Sequence, residues 1–336
     1  MRQKKNHRSV LRTAGRILVG VLALLLIAAL CFFVIPLTEN ARNTPVPGSA
    51  DWMAALPDET PLGDIILPGT HDSATQYVQL AFFSKCQSLS IAQQLEAGYR
   101  YLDIRLGDAE KGGDYPRLMH GFTNCKTGIF GGTLSLDAVL ADCYAFLAQH
   151  PTETVIFAVK HEHGDSTAAD FQRTLQGFTA AREANWLLTD TLPTLGEARG
   201  KLVLLRRWED EAGLGRESGI SFFWEDQRGR EDTSLAAAEE PQDGFTLLVQ
   251  DRFKYDADEK WNAFLTAMEA EPADGDVLLN FLSTNGSSAY GHPWKYAKAL
   301  NPRLMALNDE TLKGWVIVDF ATAQIAEKIC SANFDE

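Results

Sequence analysis

Along the chain, short apolar and β-branched runs alternate with stretches of helical periodicity. The runs are Asp64–Leu67, Tyr99–Arg105, Arg117–His120, Thr154–His161, Lys201–Arg206, Thr246–Asp251, Val277–Leu282 and Trp315–Phe320. Each has the length of a strand. Between them, Leu136, Val139, Leu140, Cys143, Phe146 and Leu147 recur at spacings that put them on one helix face, as do Trp261, Phe264, Leu265 and Met268. Strand alternating with helix predicts a parallel sheet. Eight such units predict an α/β fold, an irregular (β/α)8 TIM-type barrel whose chemistry sits at the C-terminal ends of the strands. The acidic, Ala-rich stretch Ser234–Asp243 reads as a surface loop.

The N-terminus follows a different pattern. Ile17 to Leu37 is a run of 21 residues without a charge, about 31 Å of helix and enough to cross a bilayer core. Six bases and no acid precede it within residues 1–16, which orients the N-terminus to the cytoplasm by the positive-inside rule. The apolar run is longer than the core of a cleavable signal, and no small-x-small site follows it. The expected layout is a cytoplasmic basic segment (1–16), a transmembrane signal anchor (17–37), a Pro-containing linker (38–50) and a catalytic body (51–336). That body would lie outside the cell membrane on a single-pass anchor, the alternative being secretion after signal cleavage. Cys31 follows Leu30, too bulky for a lipoprotein processing site, and reads as a residue of the apolar helix.

Charge narrows the function. The 336-residue chain has a formal net charge of −14, and outside the basic N-terminus 25 of its 31 bases face all 45 acids. Nucleic acid is excluded as a partner, because polyanion binding needs a basic footprint. Of the remaining cysteines, Cys143 falls on the buried face of its helix. Cys86 and Cys125 lie in polar segments and are the favoured pair for a disulfide in an oxidising compartment, with Cys330 left over.

Polar groups follow the strands with regularity. His71, Arg105, His120, Lys160, Arg207, Asp251 and Asp319 each end an apolar run or follow it within a few residues. Two histidines with an arginine suit phosphoryl transfer. One imidazole takes a proton from the attacking hydroxyl, the other gives one to the leaving oxygen, and the guanidinium stabilises the phosphoryl oxygens.

With LPGTHDSAT, AGYRYLDIR, LMHGF, HPTETVIFAVKHE, ARGKLVLLRRW, LVQDRFKY and GWVIVDF in this order, the chain resembles the bacterial phosphatidylinositol-specific phospholipases C, whose catalytic barrel is the X domain. The resemblance spans residues 64–320. It implies that His71 is the general base toward the inositol 2-hydroxyl and His120 the general acid toward the diacylglycerol oxygen. Asp319 would orient His71, Arg105 would activate the phosphate in the place of the calcium of eukaryotic relatives, and Asp72 would be the acid beside the base. Lys160, Arg207 and Asp251 would bind inositol hydroxyls, and Phe253 would stack on the ring where the family commonly has tyrosine. Leu106 and Gly107 replace the usual Gly and base after the arginine. Intramolecular attack by a 2-hydroxyl held against its own phosphate predicts a cyclic 1,2-phosphodiester as first product.

No cofactor or metal is expected. His161 and His163 share a strand face but lack further ligands nearby, and a guanidinium already supplies a cation at the phosphate. Phe82, Phe83 and Tyr290, with Val78, Leu80 and Trp294 near them, are candidates for contact with the membrane that holds the phosphatidylinositol-type lipid substrate. Two rival functions are a metal-dependent glycerophosphodiester phosphodiesterase, which would want acidic ligands where Arg105 stands, and a non-catalytic inositol-lipid-binding X domain.

Overall fold

In chain order the strands are β1 (Leu67–Thr70), β2 (Tyr101–Ala109), β3 (Pro116–His120), β4 (Thr123–Asn124), β5 (Val155–His163), β6 (Trp186–Leu187), β7 (Leu202–Arg206), β8 (Ile220–Ser221), β9 (Ala236–Ala237), β10 (Leu247–Gln250), β11 (Val277–Phe281) and β12 (Trp315–Val318). They belong to a computed structural model of the protein that describes residues 2–30, 46–229, 235–237 and 244–334. Residues 31–37 of the apolar run, residues 38–45 of the linker and most of the Ser234–Asp243 stretch lie outside the described residues.

One curled sheet carries the site, in the order β6-β7-β5-β2-β1-β12-β11-β10-β9. Its neighbours are parallel except for β9, which runs antiparallel to β10. On the open side of β7, β6 pairs with its first half and β8 with its second. No ladder joins β8 to β10 among the described residues. Gln227 bridges that seam instead, donating from Nε2 to the Val249 carbonyl at 3.2 Å and accepting from the Asp251 N–H through Oε1.

The run Arg117–His120 is a strand but not a barrel strand. It forms β3, antiparallel to both β2 and β4. Only residues 110–115 separate it from β2, too few for the crossover that a parallel neighbour requires.

Within each barrel strand the side chains alternate between two cores. Tyr101, Ile156, Ala158, Val203, Leu205, Val249, Leu279, Phe281, Trp315 and Ile317 fill the barrel interior. Leu102, Ile104, Val155, Phe157 and Val159 face outward against Leu136, Val139, Phe146 and Phe171 of the surrounding helices. The helix Leu136–Gln149 buries all six residues that its periodicity marks. The helix Ala257–Met268, closed by an Asp256–Glu259 capping box, buries Phe264 and Met268 as its pattern predicts, and buries Lys260 beside them. Gly69 lets β1 close against its neighbours: a Cβ there would lie 2.3 Å from Ile317 Cδ1 and 2.8 Å from Tyr101 Cβ.

Outside the barrel, Arg2–Ala29 is helical, and Val10–Ala29 is long and apolar enough to cross a membrane, with none of it buried. The body begins before residue 51. Ser49–Ala55 forms a 3-10 segment against the N-terminal ends of the strands, so residues 46–50, linker-like in composition, are attached to the barrel.

The expected Cys86–Cys125 disulfide is absent. Cys86, Cys125, Cys143 and Cys330 are all buried free thiols. Cys86 turns its sulfur toward His120 Nδ1 at 3.7 Å, whereas Cys125 packs in the outer core with Val78 and Leu118.

Candidate active site

Register brings the site together. Thr70 is level with Val318 on one side and with Leu102 on the other, so the next residues, His71, Asp319 and Asp103, meet at one height. Arg105 pairs with Lys160 across β2 and β5, and Val159 with Arg206 across β5 and β7, which carries Lys160 and Arg207 to the same rim. His71, Arg105, Lys160 and Arg207 line a cavity of about 750 Å³ together with His120, Glu162, Trp224, Asp251, Phe253 and Asp319, and Asp103 is buried behind it. Two of the residues that follow strand ends are held at positive φ, Asp72 at 44° and Phe320 at 50°. Such backbone costs about 1–3 kcal/mol each and persists where the surroundings over-determine it.

His71 Nδ1 lies 2.8 Å from Asp319 Oδ1, and Nε2 lies 3.0 Å from an Arg105 NH2 group. Because a guanidinium only donates, this contact describes the neutral tautomer, with Nδ1–H given to Asp319 and a lone pair on Nε2 facing the cavity. Burial pulls the imidazolium of His71 down, but the Asp319 and Asp72 carboxylates and the Asp319 hydrogen bond outweigh it. Its pKa is raised, as a base requires. His120 stands across the cavity, the two rings 6.2 Å apart and nearly perpendicular. His120 Nδ1 donates to the Ser84 carbonyl at 2.8 Å, and Nε2 points at Asp72 Oδ2 at 3.4 Å. Nε2 therefore faces a carboxylate in ionic contact.

Asp72 Oδ2 also lies 3.3 Å from His71 Nε2, and its Oδ1 lies 3.2 Å from Arg105 Nε. All three contacts are ionic without hydrogen-bond geometry, and both Asp72 oxygens are buried without a hydrogen bond. Burial raises its pKa against the pull of Arg105 and the histidines. Asp103 and Glu162 differ. Although each is desolvated, Arg105 holds both carboxyls well below the usual range, helped by Arg207 at Asp103 and by Lys160 at Glu162. Arg105 donates to Asp103 Oδ2 from Nε at 3.2 Å and NH2 at 3.1 Å, and from NH1 to Glu162 Oε1 at 3.4 Å. Glu162 also accepts from Gly121 N–H at 3.0 Å and forms an ion pair with Lys160 at 2.8 Å.

At the other end of the cavity, the Arg207 guanidinium lies 3.7 Å above the Trp224 ring, with Asp103 at 3.7 Å and Asp251 at 3.9 Å. Phe253 walls the cavity beside Lys254. All nine residues expected in catalysis and headgroup binding thus converge. Asp103, Glu162 and Trp224 are additions. Strand alternation alone would have signalled two of them, since Asp103 shares a face with Arg105, and Glu162 with Lys160. The same alternation turns His161 outward, where it stacks on Phe171 at 4.2 Å and contacts Asp108 at 3.1 Å.

Three sets of donors come close enough for a cation: His71, Cys86 and Asp319; Asp72, Cys86 and His120; and His71, Asp72 and Asp103. The Arg105 guanidinium already touches His71, Asp72 and Asp103. The thiol of Cys86, buried near Asp319 and Asp72, is pushed well above the usual range. A metal would therefore meet a fixed positive charge and a protonated sulfur.

At the rim, Phe83 and Tyr290 are 47% and 77% exposed, while Phe82 packs between Phe83 and His292. Phe122, 75% exposed, joins them at the cavity mouth.

Residues 68–208 match the family model "Phosphatidylinositol-specific phospholipase C, X domain". The chain is 30% identical over 340 residues to a 1-phosphatidylinositol phosphodiesterase of Listeria monocytogenes, covering 93% of this chain and 96% of the relative. It is 26% identical to a 1-phosphatidylinositol phosphodiesterase of Staphylococcus aureus, over 84% of this chain and 92% of that one. Among solved structures, a mutant phosphatidylinositol-specific phospholipase C from S. aureus is similar with a TM-score of 0.67 at 23% identity, over 84% of this chain and 98% of that one. The L. monocytogenes enzyme is similar with a TM-score of 0.62 at 25% identity, over 85% and 98%. These neighbours share the barrel-type fold with its curled mixed sheet.

Proposed function

The chain belongs to the family of bacterial phosphatidylinositol-specific phospholipases C, and from that premise we propose how its residues cleave the lipid. The protein is a phosphatidylinositol-specific phospholipase C. His71 removes the proton of the inositol 2-hydroxyl through Nε2, and Asp319 stabilises the imidazolium that forms. The 2-oxygen attacks its own phosphorus. His120, on the opposite side, protonates the departing diacylglycerol oxygen, with the Asp72 carboxylate in ionic contact beside its Nε2. Arg105 leaves its contact with His71 for the phosphoryl oxygens, where its charge offsets the charge that develops. Lys160, Arg207 and Asp251 take the inositol hydroxyls, and Phe253 the ring face. The products are diacylglycerol and inositol 1,2-cyclic phosphate, with no step that calls on a metal.

The observation that carries this reading is the pairing of two imidazoles around one cavity: the rings of His71 and His120 stand 6.2 Å apart, Arg105 lies 3.0 Å from the lone pair on His71 Nε2, and Asp72 is in ionic contact with both histidines. Phe82, Phe83 and Tyr290 are proposed to contact the lipid surface, and the N-terminal helix to anchor the chain with its body outside the cell.

Phosphorus NMR of the full chain with phosphatidylinositol in detergent mixed micelles tests the chemistry. A cyclic phosphodiester that forms at an unchanged rate in EDTA, and falls roughly 10⁴-fold with His71→Ala, is the expected result. Loss of the product in EDTA, or an acyclic inositol phosphate as first product, overturns it.

A further inference from the structure

Lys260 is a buried cation that no step of the mechanism uses. It lies on the helix Ala257–Met268, on the face that also buries Phe264 and Met268 at spacings of four and eight residues, where helical periodicity calls for an apolar side chain. A lysine there is desolvated, at a cost that only bonding of its amine offsets. The amine reaches to the end of β10 and donates to Gln250 Oε1 at 2.8 Å.

Gln250 is the last residue of β10, one position on from the inward-facing Val249, so its side chain turns outward. Its amide is fully occupied. Oε1 accepts from Lys260 and from the Arg252 N–H at 2.9 Å, whereas Nε2 donates to Asn280 Oδ1 at 2.7 Å and to the Phe281 carbonyl at 2.8 Å. A backbone N–H can only donate and a carbonyl can only accept, so Arg252 and Phe281 fix which way the amide points. Asn280 Nδ2 in turn donates to the Phe264 carbonyl at 3.0 Å. A circuit of hydrogen bonds thus runs from Lys260 through Gln250 and Asn280 back to the helix that carries the lysine. It grips the main chain at Arg252, between Asp251 and Phe253, the two residues that wall the cavity there. From the other side, Thr284 Oγ1 and the Asn285 N–H donate to the Phe253 carbonyl at 2.9 and 3.1 Å.

Charge adds to this geometry. The carboxylates of Asp251 and Asp319 attract the Lys260 ammonium and the Arg252 guanidinium repels it, while burial brings its pKa down to about 7. The bond to Gln250 is charge-assisted below that pH and weaker above it.

We infer that Lys260 is a positioning residue of the headgroup subsite: through Gln250 it sets the turn at the end of β10 that presents Asp251 and Phe253 to the inositol ring. The inference rests on the reading of those two residues as headgroup ligands. His71, Arg105, His120 and Asp319 stand on or just after other strands, so the effect of Lys260 falls on binding rather than on the chemical step.

The full chain in detergent mixed micelles tests this with two readouts, the turnover of phosphatidylinositol and the dissociation constant of free myo-inositol measured by ligand-observed NMR. Lys260→Met keeps an unbranched side chain and removes the donor. It is expected to raise both KM and the myo-inositol constant roughly tenfold, the worth of one charged buried hydrogen bond, with kcat held within about threefold. Asp251→Asn is expected to raise the same two constants, and the double variant to lose much less than the product of the single losses, because the two changes act on one contact. A fall in kcat with both constants unchanged overturns the inference. So do losses that multiply in full, the mark of a general loosening. If Lys260→Met does not fold, the unmodified chain decides: its constant for myo-inositol, an uncharged ligand, is expected to rise severalfold between about pH 6 and pH 9, and a flat profile overturns the inference. An unmodified chain that cleaves no phosphatidylinositol brings down the catalytic reading instead, and the myo-inositol constants still decide the role of Lys260.

Discussion

Arg100, just before β2, and Arg105, at the middle of that strand, stand five residues apart, and each is buried beside carboxylates, yet they are held in different ways. Arg100, fully buried, donates to Glu153 at 2.8 and 2.9 Å and to the carbonyls of Leu95, Tyr99 and Ala50 at 2.8–2.9 Å, over the ring of Phe146. Its valences are consumed by the protein. Arg105 is 12% exposed and shared among Asp72, Asp103, Glu162 and His71 at 3.0–3.4 Å, with Asp72 beyond hydrogen-bond geometry. One arginine closes the base of the barrel. The other is kept partly uncommitted, in a cavity and among strained residues, where an incoming phosphate can claim it. The difference shows that burial of an ion pair does not by itself identify a site; incomplete satisfaction beside a cavity does.

Removing the basal partner gives the largest expected effect. Arg100→Met leaves Glu153 buried without its counter-charge and is expected to cost about 3–5 kcal/mol of stability. Urea unfolding reads the loss, and the folded fraction should keep its kcat. Arg105→Lys is the mirror experiment: unfolding should change little, while kcat falls roughly 10²–10³-fold, because one ammonium cannot serve Asp103, Glu162 and a phosphoryl group at once. If Arg105→Lys instead destabilised the protein as Arg100→Met does, the contrast between the two arginines would collapse.

Lys260 sharpens the comparison. It is fully buried beneath the rim, with its amine 2.8 Å from Gln250 Oε1, which also accepts from Arg252 N–H at 2.9 Å. Burial lowers its pKa from 10.5 to about 7, against the attraction of Asp251 and Asp319. A lysine depressed on folding lowers stability in full below its folded pKa and is relieved as pH rises toward its unfolded value. Stability is therefore expected to climb between pH 7 and about 10, by on the order of a few kcal/mol. Lys260→Met should flatten that climb, as measured by urea midpoints across the range.

The smallest effect belongs to the rim. Tyr290→Ser removes one exposed ring, worth about 1 kcal/mol of transfer to a lipid surface. A roughly fivefold loss of rate on vesicles, with none on monomeric substrate, is expected; equal losses on both would place Tyr290 in the cavity rather than at the membrane.

The local pattern determined the strand-helix alternation, six barrel runs that became parallel strands, and the polar groups at their ends, whereas the run Asp64–Leu67 meets β1, Leu67–Thr70, only at Leu67 because a 3-10 turn holds Leu62–Asp64. These are legible because alternation with period two and helical spacing are properties of neighbouring residues, and chemistry concentrates where a strand leaves the core. Where the sequence reading fell short, the deciding contacts came from distant parts of the chain. Arg117–His120 became a hairpin arm because a short turn follows β2. Cys86 and Cys125 remained apart because one faces His120 and the other the outer core. Asp103 and Glu162 gained their roles only when register set them around Arg105, and Lys260 only when its helix turned that face to the barrel. The sequence by itself dictates which side chains can share a face; which faces meet, and at what height, is decided by strand register and packing across the whole barrel.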